Sequence, residues 1–153
     1  APDSWPGAIY YEVILNHHRR KPYYTLLGWD GADALVTRKL IEPIDLNRGR
    51  VRLGNRNIVG QNGLMNRVVL EYADDANVAL RYEPSKERIV MDHLSPFEPH
   101  LQGSTAFYGP DMSYDALIWE KGNWLYAPDV EVSDPKLNAP YIAPPNARRR
   151  RGQ

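Results

Sequence analysis

The chain has 153 residues, 42% of them hydrophobic and 25% charged, with equal numbers of basic and acidic side chains. That composition fits one ordinary domain with an apolar core and excludes a chain disordered throughout. Cysteine is absent, which excludes disulfides, thiolate nucleophiles and thiolate zinc sites.

The balanced charge is unevenly spread. Four of the 19 basic residues are Arg148, Arg149, Arg150 and Arg151, leaving 15 against 19 acidic groups over residues 1–147, a net of −4. A phosphate-binding domain needs a basic face to release counterions, so the body makes nucleic acid an unlikely partner and only the tail offers such charge. No apolar run approaches the roughly 18 residues that a spanning helix needs. The opening APDSWPG lacks an initiator Met and reads as a processed N-terminus, as cleavage of a secretory signal would leave.

The apolar rhythm along the chain has period two. IYYEVIL puts Ile9, Tyr11, Val13 and Leu15 on one face, and after the charged turn HHRRKP the segment YYTLLGW returns as a second strand. GADALVTRK admits a short helical turn capped by Asp33, with an extended reading preferred. KLIEPIDL is predicted as an edge strand, because Pro43 has no amide hydrogen to give a ladder. Asn47, Arg48 and Gly49 turn the chain into RVRLG, and NRNIVGQNGLMN, rich in Asn and Gly, reads as a loop.

RVVLEY, NVALRY and RIVMDHL follow with short polar connectors, the pattern of a three-stranded meander. Their apolar faces are Val68, Leu70 and Tyr72; Val78, Leu80 and Tyr82; and Ile89 and Met91, continued by His93. SPFEPHLQGSTAFYGP is an irregular surface loop. The last hairpin turns at Lys121 and Gly122, where glycine takes the positive φ of a tight turn. The expectation is an all-β antiparallel sandwich or partly closed barrel of eight or nine strands over residues 1–136. Residues 137–153 read as a Pro-rich, Arg-ended extended tail.

Several residues invite chemistry. Asp111, Ser113 and Asp115 alternate as oxygen ligands do in a calcium loop, but the sixth and twelfth places hold Ala116 and Gly122 where such a loop wants glycine and glutamate. A corner turned by Gly109 and Pro110, with Asp111 or Ser113 taking backbone amide hydrogens, fits better. Asp30 and Asp33 flank Gly31 near Trp29, so a paired-carboxylate glycosidase using Asp30, Asp33, Asp111 and Asp115 is the enzymatic alternative, while Asp-Gly is the commonest kind of turn after a strand and the turn is the preferred reading. His17 and His18 lie in a hairpin tip where neighbouring side chains diverge, and so do Asp92 and His93 in a strand. No serine-hydrolase elbow and no phosphate-binding loop is present. The residues name no cofactor and no metal.

The rings crowd the terminal hairpins on both faces of their strands, either as a core between two sheets or as an exposed binding patch. Tyr10, Tyr23, Trp29, Tyr108, Trp119 and Trp124 are the candidates for that patch. In the tail, Tyr141 and the four arginines are candidate contacts to an acidic protein, anionic lipid or nucleic acid.

The segments GWDG, DHLSP and YGPDMSYDALIWEKGNW, in that order, resemble the C-terminal domain of a family of uncharacterised bacterial envelope proteins. The resemblance spans roughly residues 5 to 132 and does not extend to the RRRR tail. It implies a secreted, periplasmic or outer-membrane-associated protein and carries no catalytic residue. The expected function is therefore a non-catalytic envelope interaction module that engages another envelope protein or a glycan. A glycan- or peptidoglycan-acting hydrolase is the alternative.

Overall fold

The computed structural model describes residues 7 to 132, and apart from three single turns of 3-10 helix its regular structure is extended. The strands are β1 (Ile9–His18), β2 (Lys21–Asp30), β3 (Val36–Asn47), β4 (Arg50–Leu53), β5 (Ile58–Gly60), β6 (Gly63–Met65), β7 (Val68–Ala73), β8 (Leu80–Glu83), β9 (Arg88–Pro96), β10 (Tyr108–Glu120) and β11 (Asn123–Ala127). They form two facing sheets without closing a barrel. One runs β1-β2-β3-β4 with β7 also on β3, and the other runs β6-β5-β11-β10-β9-β8. All pairs are antiparallel except β11 with β5. The proposed domain boundary at residue 136 and the tail, including Tyr141 and Arg148 to Arg151, lie outside the described residues.

The core lies between the sheets. Ile14, Leu27 and Ile41 from the first sheet meet Ile58, Leu80, Ile89, Met91, Leu117, Trp119 and Trp124 from the second. Each such side chain, sealed from water, stabilises the fold by roughly 1.5–3 kcal/mol. The period-two rhythm of the sequence is the direct record of this packing, because every second residue of a strand faces the opposing sheet.

Several expectations are corrected. The predicted meander is split: β7 pairs β3 in the first sheet, whereas β8 and β9 belong to the second, so the short connector after Ala73 crosses between sheets. β3 is central rather than an edge. Pro43 is tolerated there because it sits where β3 changes neighbours, β7 pairing Val36 to Ile41 and β4 pairing Ile44 to Asn47. The Pro43 carbonyl on that open side takes the amides of Gly54 (2.8 Å) and Asn55 (2.9 Å). The segment after Asn55 holds the small hairpin β5–β6 instead of a bare loop. No helical turn forms at residues 31–39; Asp33 instead accepts the amides of Leu35 and Val36 and folds a loop into β3.

The first strand faces opposite to a simple core reading. Ile14 and Asn16 are buried while Ile9, Tyr11, Val13 and Leu15 are exposed, with a bulge between Tyr10 and Glu12. Side chains of β1 on both sides of the bulge reach the free edge of β8. The Tyr11 hydroxyl donates to the Leu80 carbonyl (2.9 Å), the Glu12 carboxylate meets the Tyr82 backbone N–H, and Asn16 Nδ2 donates to the Tyr82 hydroxyl (3.1 Å). Side chains thereby occupy edge groups that would otherwise invite another strand.

Candidate functional site

The six rings proposed for a patch do not assemble into one. Trp124 is fully buried and Trp119 nearly so. Tyr23, Trp119, Trp124 and Tyr82 form a chain of edge-to-face contacts through the core, with successive ring centres at 5.2, 5.1 and 6.3 Å. The Trp124 indole N–H is satisfied by Thr25 Oγ1 at 3.0 Å. The Tyr10 ring lies over Gly28, where a Cβ would stand 2.8 Å from it, so glycine is required by close approach. The Trp29 ring lies over Gly31 in the same manner, and the Tyr108 hydroxyl accepts the Gly103 amide. The two-sided core accounts for Trp119 and Trp124, and neither can present a face to a ligand.

The four candidate carboxylates fall into two settings. Asp30 accepts the Ala32 amide and stands 3.8 Å from Arg38, which also pairs with Glu71. The amides of Leu35 and Val36 hold the Asp33 carboxyl below the usual carboxylate range. Both aspartates thus build the loop between β2 and β3. Asp111 opens a bulge in β10 and accepts both the amide and the hydroxyl of Ser113. Burial pushes its carboxyl up, but the Ser113 hydrogen bonds outweigh it and keep the group low. A glycosidase acid needs a raised pKa, so neither Asp33 nor Asp111 is tuned for that role. The expected corner at Gly109 and Pro110 does not form: both pair with β9, opposite Ser95 and Leu94, and the chain departs from the ladder only between Pro110 and Tyr114, where Met112 takes φ 74° and Asp111 accepts from Ser113.

Asp115 has the richest environment of the four. His93 Nδ1 donates to its Oδ2 at 2.6 Å, the Asp129 amide reaches its Oδ1 at 3.2 Å, and the Tyr126 hydroxyl bonds the same carboxylate. The hydrogen bond to Asp115 raises the His93 pKa, and burial together with Asp115 pushes the Tyr126 hydroxyl up to about 12. Asp92 and His93 diverge as strand neighbours should, and folding pairs His93 with a residue 22 positions away. Asp92 serves the backbone, accepting the Ala79 amide at 2.6 Å. Among the described residues no group of three histidines or carboxylates is placed to hold a metal ion.

The feature that sequence reading passed over is the polarity of the molecule along its strands. The β1–β2, β3–β4 and β10–β11 turns all lie at one end. A Cβ built on Gly122 would approach the Tyr23 hydroxyl at 3.2 Å, and the Trp119 indole reaches the His17 carbonyl. Arg19 and Arg20 form the first turn, Arg48 and Gly49 the second, and Lys121 and Gly122 the third, every one of these residues at positive φ. Arg50, Arg52 and Lys21 flank them. None of these cations has a carboxylate within ion-pairing distance among the described residues, whereas Arg38, Arg67 and Arg88 are all paired. The opposite end carries Asp30, Asp33, Asp74, Asp75, Asp111 and Asp129.

Beside the cationic turns the outer face of the first sheet is aliphatic. Cross-strand pairing aligns Leu15, Tyr24, Ile44 and Leu53 in one row and sets Leu46 against Val51 nearer the tips. Val13, Leu15, Leu46 and Val51 are 62%, 49%, 48% and 63% exposed, with no partner element over them among the described residues. An open groove of about 570 Å³ along the β3–β4 ribbon is lined by Asp45, Asn47, Arg48, Arg50, Val51 and Arg52. The signal for this surface was present in the sequence as basic residues at three turns, but the register that gathers them was not.

No protein-family model, curated protein or solved structure matches the chain.

Proposed function

We propose that the chain is a non-catalytic module that docks onto another macromolecule through the outer face of its first sheet at the cationic end. The observation that carries this reading is the row of exposed aliphatic side chains, Val13, Leu15, Leu46 and Val51, directly beside unpaired arginines. Exposed apolar surface gathered on one face and rimmed by charge is the usual composition of an interaction site. The carboxylates of the hydrolase alternative are, by contrast, engaged in turns, in a bulge and with His93. The resemblance to bacterial envelope proteins supports a periplasmic or outer-membrane setting for this reading, with another envelope component as the partner.

The test is site-specific photo-crosslinking in the native cell, with the reactive residue placed at Val13, Leu15, Leu46 or Val51, and at Leu64 and Phe97 as exposed positions elsewhere. Adducts formed only from the first four positions support the reading. Uniform adducts, or none together with glycan turnover abolished by Asp115→Asn, would replace it with the enzyme.

A further inference from the structure

We infer that the partner surface is an anionic phospholipid layer, reached by the cationic hairpin turns with Leu15, Leu46 and Val51 entering the boundary between headgroups and acyl chains. This rests on the docking face proposed above and adds the chemistry of what it meets.

Three observations point to lipid. First, the most exposed side chains beside the cations are aliphatic. A single-stranded nucleic acid needs a series of exposed rings on which successive bases stack, but the row holds one ring, the half-buried Tyr24, and Trp119 and Trp124 are sealed in the core. Second, cationic residues stand in backbone conformations that disfavour them. Arg19 at φ 50° and Arg20 at φ 66° occupy both central places of a tight hairpin turn, where asparagine and glycine would be unstrained. Arg48 and Lys121 take the first place of their turns at φ 51° and 49°. Strained arginines at a solvent-facing tip contribute nothing to the core, so their placement fits a charge requirement at that end. Third, cations outnumber carboxylates on the β3–β4 ribbon: Arg48, Arg50 and Arg52 line its groove with a single half-buried carboxylate, Asp45, opposite Arg52 in register, while Glu42 is fully buried against Arg67. Glu87 and Glu120 share the tip end but are outnumbered there by the cations of the turns, and the aspartates at the opposite end orient the molecule in the field of an anionic surface, tips inward.

Aliphatic side chains flanked by arginines make the composition of a protein that lies on a bilayer without crossing it. Arginine binds the phosphate oxygens in a bidentate fork, and the short aliphatic side chains add apolar contact that salt does not screen.

The experiment is co-sedimentation of the full chain with phosphatidylcholine vesicles and with vesicles that also contain phosphatidylglycerol. Because Arg148 to Arg151 also attract anions, the tips are tested with that run intact, in Arg48→Gln/Arg50→Gln/Arg52→Gln, and the run is tested separately with its arginines replaced by glutamine. Each tip arginine removed is expected to weaken binding to the anionic vesicles about fivefold. Val51→Ser is expected to weaken the part of the binding that survives high salt. Far-ultraviolet circular dichroism and the urea midpoint confirm that each variant is folded. Vesicle binding that depends only on the four tail arginines overturns the inference, as does tighter binding to single- or double-stranded DNA than to the anionic vesicles. Failure on vesicles together with adducts to an envelope protein from Val51 would sink the lipid assignment and leave the docking face standing.

Discussion

Glu42 and Arg67 form a 2.9 Å ion pair in which the carboxylate is wholly buried and the guanidinium keeps 30% of its surface. Burial pushes the Glu42 carboxyl up and Arg67 draws it back. Its second oxygen has no hydrogen-bond partner among the described residues, so Arg67 is its principal compensation. Removing one partner of a buried pair leaves an unpaired charge, at a cost of about 3 kcal/mol. Arg67→Ala is therefore expected to shift the urea midpoint strongly downward with the slope unchanged. The double variant Glu42→Gln/Arg67→Ala should recover most of the loss, and strictly additive losses would mean that the pair is not coupled.

Lys39 gives the clearest pH signature. Its ammonium donates to the Val78 carbonyl at 2.6 Å from a buried position, and desolvation lowers its pKa to about 8. Between pH 8 and 10.5 the unfolded chain holds the proton that the folded chain has released, so stability rises with pH across that window. The rise relative to Lys39→Met is expected to reach about 3 kcal/mol. Parallel pH profiles for the two proteins would contradict it.

His93 works in the opposite sense. Its hydrogen bond to Asp115 raises the folded-state pKa above the unfolded value of about 6.5. The stability it contributes is fully present below that value and is lost as pH rises through the raised one. The imidazole is 43% exposed, so water screens the pair and the effect stays within about 1 kcal/mol. An NMR titration of the His93 ring should give a pKa that falls back on Asp115→Asn, and no change there would break the assignment.

The first hairpin turn should respond to relief of strain. With Arg19 at φ 50° and Arg20 at φ 66°, Arg19→Asn/Arg20→Gly suits the turn better and is expected to stabilise the domain by about 1 kcal/mol. Thermal unfolding checks it. A lower midpoint in the variant would show that the two arginines make contacts that outweigh their backbone cost.

How much of this was legible beforehand depends on the range of the interaction. The period-two runs at Val68, Leu70 and Tyr72 and at Ile89 and Met91 identified strands and their inward faces, because alternation is a local property of an extended chain. Which sheet each strand joins is not local, and the crossing after Ala73 leaves no mark on either run. Pro43 misled for the same reason, since its safe position depends on where β7 ends and β4 begins. In β1, hydrophobicity alone cannot separate Ile14, which enters the core, from Val13 and Leu15, which do not. His93 could not be matched to Asp115 without the register of β9 on β10. The two tryptophans of the last hairpin, candidates for an exposed patch by composition, are core residues instead, because ring content does not tell which face of a strand meets the second sheet.

The most direct measurement is hydrogen–deuterium exchange of the full chain with and without native envelope membranes. Protection is expected in β1 from Val13 to His17 and along the β3–β4 ribbon from Ile44 to Leu53. Protection centred on His93, Asp111, Asp115 and Asp129, with the first sheet unchanged, would contradict the account.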